Sequence, residues 1–133
     1  MAEILIFDTT FLIDVQREHQ RDDRTGPAHA FLQAHGKSLM QLPITALGEF
    51  AEGFSDPHHA VLEAVLQQFE LLPIGPATAL AYARMTRELR AEGRLIGTND
   101  LWIAATAVAA GHPLVTRNTA EFGRIHGLRL LGY

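Results

Sequence analysis

Cysteine is absent from all 133 residues, which removes any disulfide framework and any thiolate-held metal. That absence is compatible with a reducing cytoplasm. No apolar run approaches the roughly 20 residues that a membrane span needs. The opening MAEILIFD places only four apolar residues after Glu3, too few for the hydrophobic region of a signal peptide; we therefore expect a cytoplasmic protein with no membrane association. Lysine occurs once, at Lys37, and serine only at Ser38 and Ser55, neither within a GxSxG elbow, which argues against an α/β-hydrolase nucleophile. GxGxxG and the P-loop are also missing, which removes the obvious dinucleotide and NTP readings. The net charge of −4 runs against a general nucleic-acid coat, whose footprint is basic. It leaves room for an enzyme that cuts RNA, because part of the acid excess would face metal ions. Arg84, Arg87, Arg90 and Arg94 remain to steer a phosphate backbone. The seven histidines show no HxH or HxxxH spacing, and the adjacent His58 and His59 would not face the same way on a helix, which disfavours zinc.

What is present alternates between strand-like and helix-like patterns. Residues 4–7 are a continuous apolar run, as in a strand covered on both faces. Residues 9–17 follow with Phe11, Leu12 and Val15 at helical spacing. The polar stretch 18–27 ends in Gly-Pro and reads as a mobile surface loop. A short helix is expected over 28–35 and a strand over 39–44, with Thr45 capping the next helix. A helix over about 58–69 has Pro57 suited to its first turn. After a short strand within 69–74 comes a long helix over about 77–92, stopped by Gly93. Thr98 or Asn99 caps an apolar helix stopped by Gly111 and Pro113. Strands at 114–115 and 128–131 flank a short helix near 119–122. The expected architecture is α/β, a single domain over residues 1–133, with a mainly parallel sheet of about five strands and helices on both faces. A domain of this length buries roughly two-thirds of its unfolded surface.

Against that frame the acids are distinctive. Asp8 follows the first strand, Glu49 sits one turn into a helix, and Asp100 opens the apolar LWIAATAVAA helix. Asn118 and Glu121 follow the 114–115 strand. In a parallel sheet the carboxyl ends of the strands share one edge, where ligands bind. Several convergent carboxylates repel one another unless a cation intervenes, and hard oxygen donors suit Mg²⁺ or Mn²⁺. Each acid also has a plainer role. Asp8 can be a helix N-cap, Glu49 and Asp100 can simply complement a helix dipole, and Glu52 shares much of the Glu49 face. Their joint placement at the same end of successive units favours a metal-dependent enzyme acting on phosphates.

At these residues the chain resembles PIN-domain ribonucleases, most of all the VapC toxins of VapBC toxin–antitoxin modules. The resemblance rests on IFDTTFLID, on Thr45 and Glu49 in ITALGEF, on IGTNDLWIAATAVAAGHPLVTRNTAEF and on the strand after Gly127. It implies that Asp8, Glu49 and Asp100 match the family's first three acids, with Asp8 and Asp100 as main metal ligands. Glu49 would act as a ligand through water or orient the attacking water. The family's fourth acidic position often carries Asp; Asn118 stands there, with Glu121 three residues on. Thr116 would hydrogen-bond an acid. The implied chemistry is hydrolysis of RNA phosphodiester bonds with Mg²⁺ or Mn²⁺, and the implied partners are RNA, a cognate VapB-like antitoxin and a second copy in a homodimer. Residues 18–27 and the helices bearing Phe50, Phe54, Val61 and Val65 are the expected partner-facing region.

A PIN-like scaffold without catalysis is the competing expectation. A haloacid-dehalogenase-like phosphatase would want an acid two residues after Asp8, where Thr10 stands. A receiver domain would want adjacent acids near the first strand and a late lysine, and Lys37 is the only lysine.

Overall fold

Leu5, Ile6 and Phe7 all have no exposed surface. Successive strand side chains point to opposite faces, so this strand is covered on both. It is β1 (Ile4–Phe7), the centre of a five-stranded, wholly parallel sheet of order β3-β2-β1-β4-β5. The computed structural model describes residues 2–133. The other strands are β2 (Leu39–Pro43), β3 (Glu70–Leu72), β4 (Leu114–Val115) and β5 (Leu130–Leu131). Seven helices are found among the described residues: α1 (Thr9–Gln20), α2 (Pro27–Ala34), α3 (Ile44–Ala51), α4 (Ala60–Gln68), α5 (Pro76–Ala91), α6 (Thr98–Ala110) and α7 (Thr119–Phe122). None is long and apolar enough to cross a membrane.

The chain builds outward from β1 to β2 and β3, then returns to the other side of β1 with β4 and β5. Strand order therefore reverses between β1 and β4, and that gap at the carboxyl edge is where open parallel sheets take ligands. Register pairs Phe7 with Val115 across it. Beneath the edge, Phe7 packs edge-on to Phe31 and Phe69 and tilted against Phe11, with ring centroids 6.0, 5.6 and 4.6 Å away. Buried Ala104, Ala105 and Ala107 let α6 pack closely, and Tyr82 of α5 stacks on Trp102 of α6 at 3.9 Å.

Backbone constraints displace several helix starts from their expected caps. Pro43, with φ −59° and ψ 140°, is the residue before α3, which places Thr45 inside the first turn rather than at the cap. Gly97 precedes α6, so Thr98 is already helical and neither it nor Asn99 caps. Pro57 lies in a turn before α4, and His59 caps that helix by accepting Val61 N–H on Nδ1 at 3.1 Å.

Residues 18–27 are a surface loop only over 21–26, which are turns and mostly exposed, while their two ends are held in helices. Helix α1 runs on to Gln20, and Glu18, only 2% exposed, turns toward the start of α2. Its carboxylate accepts Ala28 N–H at 3.0 Å, His29 N–H at 2.9 Å and the His29 ring Nδ1 at 2.8 Å. These bonds satisfy helix-end donors that Gly26, lacking a side chain, cannot. A Cβ on Gly26 would lie 2.3 Å from Glu18 Cδ, so only glycine admits the approach.

Burial raises the proton affinity of Glu18, but the His29 and Ala28 donors outweigh it and hold its pKa below the ordinary 4.5. A depressed carboxyl stabilises the fold above its unfolded pKa and loses that contribution as pH falls through the folded value. Glu18→Gln should cost about 1–2 kcal/mol at pH 7, the scale of a lost cap, and should flatten the acid limb of stability below about pH 4.5. Denaturant melts from pH 7 to pH 3 measure both; coincident curves for the two proteins would contradict the assignment.

Candidate active site

Asp8 is the first residue past β1 and the N-cap of α1, with Oδ1 accepting Phe11 N–H at 3.0 Å. Its Oδ2 accepts two hydroxyls, Thr10 at 2.7 Å and Thr116 at 2.5 Å. Thr116 follows β4 and reaches Asp8 because Phe7 and Val115 are paired, an alignment continued by Asp8 N–H donating to the Val115 carbonyl at 3.3 Å. Asp8 thus caps α1 through one oxygen and receives both hydroxyls on the other. Burial raises its proton affinity, the Thr116, Thr10 and Phe11 donors oppose that, and Asp14 adds to it, for a net rise.

Glu49 reaches across from α3. Its Oε1 accepts the Thr9 hydroxyl at 2.8 Å and its Oε2 the Asn99 amide at 3.2 Å. One side chain therefore ties α3 to the first turns of α1 and α6. Its rival Glu52 is exposed at the end of α3 and approaches none of these groups through a hydrogen bond. Glu49, Gly97, Thr98, Asn99 and Asp100 line an open groove of about 360 Å³.

Asp100 stands in the first turn of α6, half-buried. Burial pushes its pKa up to about 6, helped by the charges of Glu121, Glu49 and Asp8 and by a hydrogen bond with Glu121. Asn118 directs its amide Nδ2 to Glu121 Oε2 at 2.8 Å, and its backbone N–H donates to Thr116 Oγ1 at 3.0 Å. The fourth corner thus holds a carboxylate, Glu121, steadied by Asn118. Among the described residues, no three His, Asp or Glu side chains are grouped tightly enough to form a ready-made ion cage.

Sequence reasoning passed over Thr9, Thr10 and Asn99 as partners of the acids. The signal was two hydroxyls immediately after a strand-ending acid, and an amide immediately before Asp100. His59 caps α4, and the His58 ring lies 3.8 Å from Glu63.

The family model "PIN domain" matches residues 5–128. Ribonuclease VapC1 of Rickettsia felis is 42% identical over 72 residues, covering 54% of each chain; the match thus spans about half the length of that relative. Ribonuclease VapC1 of Methanocaldococcus jannaschii is 30% identical over 122 residues, 91% of this chain and 80% of that one. The structure of VapBC2 from Rickettsia felis bound to a DNA fragment from its promoter superposes with a TM-score of 0.84 over 98% of both chains, at 24% identity.

A raised carboxyl binds its proton more tightly folded than unfolded, so stability is greatest below the unfolded pKa and falls as pH rises through the folded one. For Asp100 that window runs from 3.8 to about 6. Asp100→Asn removes this repulsion and should raise Tm in chelator at pH 7.5 by roughly 2–5 °C, with less gain at pH 4. Thermal melts at the two pH values measure it; an equal or lower Tm at pH 7.5 would contradict the assigned repulsion.

Proposed function

The chain belongs to the PIN-domain family, and from that premise we propose that it is a Mg²⁺- or Mn²⁺-dependent endoribonuclease, the toxin of a VapBC-type toxin–antitoxin pair acting on cytoplasmic RNA. The observation that carries this reading is the meeting of carboxylates from separate segments where the strand order reverses, with Asp100 feeling Glu121, Glu49 and Asp8 together. Relatives named as ribonucleases support the activity, and the VapBC complexes among structural neighbours support the partner.

The donor set fits a hard cation by its chemistry: oxygens only, with negative charge in excess. Mg²⁺ habitually takes one or two carboxylates and keeps several waters. Asp8 Oδ1 carries one backbone hydrogen bond and keeps a free lone pair; with Asp100 it would be a direct ligand. Glu49, its oxygens held by Thr9 and Asn99, would act through water, orienting the attacking molecule. Thr116 fixes Asp8, and Asn118 keeps Glu121 turned toward Asp100 in the outer shell. When bound, the ion supplies activation of water and stabilisation of charge developing on the phosphate. Exposed Arg87, Arg90 and Arg94 lead along the end of α5 toward the start of α6 and would meet the RNA backbone.

For the antitoxin, a groove of about 380 Å³ runs between α1 and α4 and is lined by Phe11, Leu12, Val15, Phe50, Val61 and Val65. It suits an apolar segment of the partner. Since residues around Glu18 are pinned to α2, the groove rather than a mobile loop is the proposed contact.

Asp8→Asn and Asp100→Asn should each lower Mg²⁺- or Mn²⁺-dependent cleavage by on the order of 10²–10³-fold, the scale of removing one electrostatic contact to developing charge. Asn118→Asp should tighten ion binding by adding a carboxylate beside Glu121. Gel-resolved cleavage of structured RNA against metal concentration measures all three. Full cleavage by the Asn variants, or cleavage indifferent to chelator, would defeat the mechanism; no cleavage by the wild-type protein at any metal concentration would leave a noncatalytic PIN scaffold.

A further inference from the structure

Asp14 lies on α1, six residues past Asp8, and is 8% exposed. The proposed chemistry makes no use of it, yet two distant segments meet on it. Arg117 Nη1 donates to Oδ1 at 3.3 Å and lies 3.2 Å from Oδ2. The Tyr133 hydroxyl donates to Oδ2 at 2.7 Å. Burial and Asp14 together push the phenol's pKa up, so it stays a donor. The Tyr133 ring packs edge-on against Phe11, 4.9 Å between centroids.

Arg117 is also the middle residue of the turn that leaves β4. Thr116 before it donates to Asp8, and Asn118 after it donates its N–H to Thr116 Oγ1. Thr116 N–H is bonded to the Leu131 carbonyl of β5, two residues before Tyr133. The ends of β4 and β5 are therefore joined side by side and fastened through Arg117 and Tyr133 to the helix that Asp8 caps. An apolar contact could hold these elements together, but it could not fix the angle at which the Thr116 hydroxyl meets Asp8. A carboxylate this buried also requires its cation, since one left alone is strongly destabilising.

We infer that Asp14, Arg117 and Tyr133 form a positioning clamp that sets the Thr116 hydroxyl on Asp8 and so holds Asp8 in its ion-binding orientation. The inference rests on Asp8 being an ion ligand. None of the three touches the reacting atoms. They act through Thr116, as outer-shell partners orient a ligand.

The test reads Mn²⁺ binding apart from cleavage, by the rise in Tm as Mn²⁺ is titrated, since an ion that binds only the folded protein stabilises it. Arg117→Met and Asp14→Asn should each raise the Mn²⁺ midpoint by about 10–100-fold, the cost of losing an outer-shell partner. The double variant should be little worse than either single one, because the two residues act as a unit. Arg117→Lys keeps the cation without the planar fork and should fall between wild type and Arg117→Met. On RNA, kcat should fall while KM stays within about threefold, the pattern of an interaction not spent on substrate binding. Should Arg117→Met fail to fold, Asp14→Asn and Tyr133→Phe decide between the outcomes. Folded Asp14→Asn and Tyr133→Phe proteins with the wild-type Mn²⁺ midpoint overturn the clamp. A wild-type protein that binds Mn²⁺ but cuts no RNA removes the ribonuclease reading and leaves the clamp standing; one that gains nothing from Mn²⁺ overturns the clamp along with the ion site.

Discussion

A carboxylate set at the end of the central strand, with 3% of its surface exposed, is the constraint on which the rest depends. Burying Asp8 is costly unless its oxygens are hydrogen-bonded, and three donors answer that need: Phe11 N–H, Thr10 and Thr116. The first requires α1 to start immediately after β1, which carries Phe11 under the sheet against Phe7. The third requires β4 to lie beside β1 in one register. A slip of the β4 pairing would remove the Thr116 donor and leave the acid short of a partner. The residue at the centre of the candidate site is thus also one that fixes how the sheet closes around its centre.

Around Asp8 the other acids are held at different degrees of tension. Glu49 is moored by Thr9 and Asn99, whereas Asp100 faces three neighbouring carboxylates and retains its proton up to about pH 6. Asn118 occupies a position where a further carboxylate would add to that repulsion. Its neutral amide instead donates to Glu121, ordering one acid without adding another. The arrangement has negative charge to spare and open lone pairs, the state in which a cation gains most from entering.

Much of this was legible in the chain, and the rest was not for identifiable reasons. The apolar run at residues 4–7, the small-residue pattern of α6 and the alternation of elements lead directly to a parallel α/β sheet of five strands, because periodicity and burial are local signals. The acids were visible as acids following strands or opening helices. The helix caps misled: threonine's preference for the cap position yields to the fixed backbone of Pro43 and to Gly97. Glu18 reads as solvent-facing because its partners, ten and eleven residues on, lie across a turn whose closeness depends on Gly26. The links from Asp14 to Arg117 and Tyr133 span 103 and 119 positions. Only the paired ends of β4 and β5 bring those residues to α1, and no spacing rule reports that.

The central claim is that one divalent cation sits between Asp8 and Asp100 at the edge where β1 and β4 part. Anomalous diffraction from crystals soaked in Mn²⁺ tests it most directly. The expected result is a peak with oxygens of both carboxylates about 2.1 Å away, the distance a hard octahedral ion requires, the rest of its shell being water. A Mn²⁺ peak elsewhere on the protein, or none at saturating Mn²⁺ with both carboxylates ordered and ionised, would contradict it.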